Sequence, residues 1–279
     1  MKHFSRIALA SLALSLLALC TLACATQSAG EARPPMQASD ATVRRAGEAA
    51  SAERSANKAW KFAACADIDA ATLIGPPPER GSAAEKADID TLLFCQESRN
   101  AMNEEQAWIG VTIDIAFFNR ALGARYERDW YPKLTELVND GMKDAKKAVD
   151  AAKQVYKRPR PYQVDARVKP CIPLEDSSAY PSGHALRACV MARLLADLVP
   201  ERTDKLLDYG RRCGMSRVVG GVHYPSDITA SFKLGEAVAD AIIASPEWKA
   251  RKVELGKELQ ELKDSATWGG NKPRRVDQM

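Results

Sequence analysis

Leu134-Thr135-Glu136-Leu137-Val138-Asn139-Asp140-Gly141-Met142-Lys143-Asp144-Ala145-Lys146-Lys147-Ala148-Val149-Asp150-Ala151-Ala152-Lys153 decides the fold class. Leu134, Leu137, Val138, Met142, Ala145, Val149 and Ala152 recur at spacings of three and four, the signature of an amphipathic helix. Upstream, Trp108, Val111, Ile115, Phe118 and Leu122 keep the same period and predict a second such helix. Downstream, Lys157-Arg158-Pro159-Arg160-Pro161 cannot continue a helix, and five prolines from Lys157 through Pro181, counting Pro181, mark a long loop. Long loops in compact domains often carry function. Helices are expected again over 183–199, 201–213, 226–243 and 246–262. No alternating run demands a strand, and no repeat recurs. The chain reads as all-α, a single-domain helical bundle.

The ends read differently. Lys2, His3 and Arg6 precede an apolar run from Ile7 to Leu22, and Ala23 and Ala25 give an Ala-x-Ala pattern. This is the layout of a signal peptide over 1–25, with periplasmic delivery. The run is shorter than a spanning helix needs, and acylation at Cys24 ranks second. Residues 26–55 are poor in large apolar types and read as a flexible lead-in. The domain is placed at 56–262 and a polar tail at 263–279. Net charge is +4, of which Lys2 and Arg6 supply two, so the remainder is nearly balanced and calls for no nucleic acid. No later segment is apolar enough to span a bilayer. Cys65, Cys95, Cys171, Cys189 and Cys213 remain after the leader, an odd set that predicts one or two disulfides of open pairing and a spare thiol.

Three short motifs carry the chemistry. Only His184 and His223 remain after the leader, and both sit in polar motifs. Pro181-Ser182-Gly183-His184 precedes an apolar helical run. The backbone N–H groups of Ser182, Gly183 and His184 at such a start would bind an anion; an ordinary helix cap with a surface histidine is the bland alternative. Ser216-Arg217 is followed after five residues by His223 and after three more by Asp227. An Asp beside a His accepts its Nδ1–H and frees Nε2 as nucleophile or base. Lys153 is followed after six residues by Arg160-Pro161. Arg158-Pro159 is a second Arg-Pro pair, and the spacing from Lys153 favours Arg160. Together these supply three fixed cations, a helix N-terminus and two histidines, the kit phosphoryl transfer needs. No cluster resembles a metal site. The residues alone do not say which histidine is the nucleophile, although Asp227 favours His223.

The order K-x6-RP, PSGH, SR-x5-H-x3-D resembles the type 2 phosphatidic acid phosphatase / haloperoxidase superfamily, and within it the class A bacterial non-specific acid phosphatases. Pro76-Pro77-Pro78 with Gly81-Ser82 also looks like class A, and the resemblance covers roughly 65–255. It implies a helical bundle of that kind and an acid phosphatase of small phosphomonoesters, with no cofactor and no metal. It implies that Lys153, Arg160, Ser182, Gly183 and Arg217 bind phosphate. His223 would attack phosphorus, Asp227 would orient it, and His184 would protonate the leaving group and then activate water. Class A members often carry Cys where this chain has Gly220-Gly221, so a disulfide from Cys171 would need Cys213 or Cys189. Ala185 replaces a common Thr. A vanadate haloperoxidase would be larger, a membrane lipid phosphatase would need spanning helices, and a phosphate-binding protein would not need both histidines. Homo-oligomerisation and the natural substrate stay open.

Overall fold

The computed structural model describes residues 60–266. The expected leader over 1–25, the lead-in over 26–55 and the tail beyond 266 lie outside the described residues. Ten α-helices follow one another, with no strand among the described residues: α1 (Ala70–Ile74), α2 (Ala83–Glu97), α3 (Ala101–Ile109), α4 (Asn119–Leu122), α5 (Pro132–Tyr156), α6 (Pro161–Val164), α7 (Gly183–Leu198), α8 (Thr203–Val219), α9 (Pro225–Ala244) and α10 (Pro246–Ala266).

Helix α5 is the segment with the clearest sequence period. Pro132 opens it, where a missing N–H is harmless, and Lys157 ends it in a left-handed conformation at φ 41°. Its whole apolar stripe is buried; each fully buried leucine contributes about 1.5–3 kcal/mol. The stripe faces α7 and α9. Helix α7 is apolar on nearly every side, with Leu186, Val190, Met191, Leu194 and Leu195 all buried, so it lies at the centre with α5, α8 and α9 around it. Buried Asp144 on α5 accepts the backbone N–H groups of Lys61 (2.9 Å) and Phe62 (2.8 Å), which ties the first described segment to the bundle.

Four expectations change. The helix expected through Trp108, Val111, Ile115, Phe118 and Leu122 is broken. Helix α3 stops at Ile109, Gly110 caps it, and a new turn starts where Asp114 accepts the Phe117 N–H at 2.9 Å. Ile115, Phe118 and Leu122 reach the core from separate short pieces, while Trp108 is 54 % exposed. Helix α8 passes Cys213 and runs to Val219. Gly214 does not end it: a Cβ there would lie 2.5 Å from the Phe232 ring, so the glycine serves a close crossing with α9. Helix α10 runs past 262 to Ala266 because Leu262 and Ser265 are buried. All five cysteines among the described residues are free. Burial pushes the thiols of Cys65, Cys189 and Cys213 up to about 12, as expected for small apolar fillers of a helical core.

Candidate active site

The loop after α5 and the N-terminal ends of α7 and α9 meet where the three motifs converge. Ser182 caps α7, its hydroxyl accepting the Ala185 N–H at 3.3 Å. Its own N–H is not free, as expected from sequence, but donates to the Asp227 carbonyl at 3.4 Å, which joins α7 to α9. Space for a Cβ at Gly183 is empty to 4 Å, so an anion can reach that backbone. Gly221, at φ 78°, makes the turn that carries the chain from α8 into His223. Pro225 then opens α9, and Asp227 falls in its first turn.

His223 and Asp227 are both 0 % exposed. Asp227 Oδ2 accepts the Tyr224 N–H at 2.9 Å and faces His223 Nδ1 at 3.1 Å. His223 Nε2 lies 2.8 Å from Arg160 Nη1. A guanidinium only donates, so Nε2 accepts and the imidazole proton is assigned to Nδ1. Burial, then Arg160 and Lys153, hold His223 well below the usual histidine range. Its Nε2 lone pair is therefore kept.

Arg160 fans out from this point. Nη1 also donates to the Val222 carbonyl (2.9 Å), Nε to the Ser177 carbonyl (2.8 Å), and Nη2 to Glu175 (2.8 Å) and Ser177 Oγ (3.0 Å). Lys153, in the last turn of α5, reaches the same loop through the Ser178 carbonyl and Ser177 Oγ. Burial and Arg160 pull its ammonium down to about 8. Arg217 donates Nη1 to the Ala107 carbonyl at 3.1 Å, while its buried Nε has no acceptor.

His184 is half-buried. Nε2 sits 3.1 Å from the Val111 carbonyl, which only accepts, so Nε2 carries a proton and Nδ1 is the exchangeable nitrogen. Nδ1 faces Glu175 Oε1 at 3.3 Å. Burial and Arg217 lower the proton affinity of His184, and Glu175 partly restores it. Among the described residues no group of three His, Cys, Asp or Glu side chains could hold a metal ion.

Three cations gathered near the His223 imidazole can hold a phosphoryl group, and the comparisons with known proteins report the family. The PAP2 superfamily matches residues 145–251, which span every motif from Lys153 to Asp227. The non-specific acid phosphatase of Providencia stuartii is 30 % identical over 208 residues, covering 71 % of this chain and 80 % of that one. This chain belongs to the non-specific acid phosphatases of the PAP2 superfamily. The acid phosphatase of Zymomonas mobilis (26 % identity, 71 % and 78 % coverage) and the non-specific acid phosphatase of Salmonella typhi (25 %, 71 % and 81 %) are also similar. A solved structure, the transmembrane PAP2 type phosphatidylglycerolphosphate phosphatase from Bacillus subtilis, aligns at a TM-score of 0.43 with 19 % identity over 64 % of this chain and 89 % of that one, and adds no weight. Among the described residues of this acid phosphatase, no helix is long and apolar enough to cross a membrane. Membership makes it a phosphoric monoester hydrolase.

Two residues of this phosphatase site carry no signal in the sequence motifs. Glu175 lies in the proline-rich loop and bridges Arg160 and His184. Burial pushes its carboxyl up, but Arg160 and His184 outweigh that and hold it below the usual range. Asp88, on α2, pairs with Arg158 at 3.0 Å. Arg158 itself competes with Arg160 in sequence; in the fold it pairs with Asp227 at 2.7 Å instead of facing the imidazole nitrogen.

Proposed function

We propose that this phosphatase works without a metal, through a phosphohistidine on His223 Nε2. The observation that carries the reading is the 2.8 Å contact from Arg160 Nη1 to that nitrogen, which leaves the proton on Nδ1 and the lone pair on Nε2. Substrate phosphate takes over the guanidinium of Arg160 and meets Lys153, Arg217, Ser182 and the Gly183 N–H. The Nε2 lone pair attacks phosphorus as the P–O bond to the leaving group breaks. His184 Nδ1 gives its proton to the departing oxygen. Asp227 balances the charge that develops on the phosphorylated imidazole ring. Water then attacks phosphorus and passes a proton to His184, the P–N bond breaks, and inorganic phosphate leaves with His223 neutral again. The cations do the charge work a metal would otherwise do.

The charged start and apolar run of 1–25 support a periplasmic location. The test is rapid acid or base quench during turnover of a chromogenic phosphomonoester, run in excess chelator. A base-stable, acid-labile phosphoenzyme that is absent in His223→Ala is expected. Loss of turnover in chelator, restored by a divalent ion, or intact turnover in His223→Ala, overturns the reading.

A further inference from the structure

We propose that Arg158 is a positioning residue for the nucleophile: anchored by Asp88 and Ser226, it holds the Asp227 carboxylate against His223, opposes its protonation and so favours the His223 proton on Nδ1. The proposal rests on the reading of His223 as nucleophile.

The two oxygens of Asp227 have separate tasks. Oδ2 takes the Tyr224 N–H and the imidazole Nδ1–H. Oδ1 takes Arg158 Nη1 at 2.7 Å. The carboxyl is fully enclosed, and burial is the largest influence on it, pushing it up to about 7 against the pull of Arg158. The charged and titratable groups around it are Arg158 from the loop after α5, Asp88 from α2, Lys153 from α5, Tyr180 from the segment before α7, and His223 and Tyr224 from the turn before α9. Of these, Arg158 alone is a cation in direct contact with the carboxylate.

The guanidinium is held through its two terminal nitrogens. Nη1 also donates to Ser226 Oγ at 2.8 Å, and Nη2 donates to Asp88 Oδ2 at 3.0 Å. Asp88 in turn accepts the Ser226 N–H at 3.0 Å and the Ser226 hydroxyl. The Tyr224 ring packs 3.7 Å from the guanidinium carbon. Arg158 is 5 % and Asp88 7 % exposed, so solvent does not screen the cluster.

Chemistry makes this cluster matter in acid. A proton taken up on Asp227 Oδ2 would be donated to His223 Nδ1. The imidazole proton would then have to sit on Nε2, the atom whose lone pair must attack. Acid would therefore silence the nucleophile by inverting its tautomer, and Arg158 sets the pH at which that happens. Asp88 lies on α2, outside the residues that match the superfamily, so an element remote in sequence tunes the motif.

The experiment is the pH profile of kcat/KM for 4-nitrophenyl phosphate in wild type, Arg158→Met and Arg158→Lys. That ester leaves without an acid, so the profile reports the nucleophile. Removing an adjacent opposite charge raises a carboxyl pKa by about 1–3 units. In Arg158→Met the acid limb should move up by about that much, with activity recovering above it and KM little changed. Arg158→Lys, which keeps a cation, should move it less in the same direction, and serves alone if the Met variant does not fold. A uniform fall in rate with an unmoved limb, or no fall at all, overturns the proposal. Phosphoenzyme trapping in wild type, run alongside, separates the two failures. No phospho-His223 refutes the nucleophile; phospho-His223 with an unmoved limb refutes only the role of Arg158.

Discussion

Replacing His184 with alanine separates a proton donor from a helix-start histidine. The structure gives two independent losses. The Nε2–H to Val111 bond disappears, which costs about 0.5–1.5 kcal/mol of stability whatever the substrate. The exchangeable Nδ1 also disappears, and general acid help is worth about 10²–10⁴-fold, or about 2.7–5.4 kcal/mol at 1.36 kcal/mol per tenfold. Lys153 is another acid of the site, with its affinity pulled down to about 8, but its ammonium is held by Ser178 and Ser177. An alkyl phosphate should therefore lose the full 10²–10⁴-fold, because an alkoxide leaves poorly. A nitrophenyl ester should still phosphorylate His223 at close to the wild-type rate. Hydrolysis of the phosphoenzyme needs the same Nδ1 as base, so His184→Ala should accumulate phospho-His223 from the nitrophenyl ester. Burst kinetics with rapid quench reads the rate and the intermediate, and chemical denaturation reads the stability loss. Equal losses for both esters, with no burst, would refute the assignment of His184 as acid and base.

Glu175→Gln removes the carboxylate that raises the proton affinity of His184. A histidine acts as acid only below its pKa, so the alkaline limb for an alkyl phosphate should move to lower pH, by about half to one unit because the pair is partly solvated. The same variant should bind inorganic phosphate more tightly, measured as a lower inhibition constant. Asp144→Ala leaves the N–H groups of Lys61 and Phe62 without their buried acceptor. It should lower stability by about 1–3 kcal/mol in urea while kcat stays unchanged.

Two contacts within the motifs were legible in sequence because they are local. Ser182 caps the helix it begins, and Asp227 in the first turn of α9 reaches back to His223 four residues before it, so spacing alone encodes the contact. Helix α5 was legible because one stripe meets one core. The stretch from Trp108 to Leu122 misled because the same period arises when several short pieces each send an apolar side chain inward. Helix α8 was read too short because a glycine that permits close packing looks like one that ends a helix. Arg158, Glu175 and Asp88 were not legible as site residues. Their roles depend on which charges lie beside them in space, 69 residues away in sequence for Arg158 and Asp227.

The charge balance of the site explains why those residues are there. Burial lowers the proton affinity of Lys153, Arg217 and His223, and in each case a neighbouring arginine lowers it further. A cradle of cations held this far from water is unfavourable until an anion arrives. Two carboxylates answer two different parts of that problem. Asp227 is sealed behind His223 and committed to Arg158, so substrate cannot displace it. Glu175 keeps 27 % of its side chain exposed and touches Arg160 and His184 by single contacts, so phosphate can. The sealed acid orients the His223 imidazole, and the open one balances Arg160 and His184.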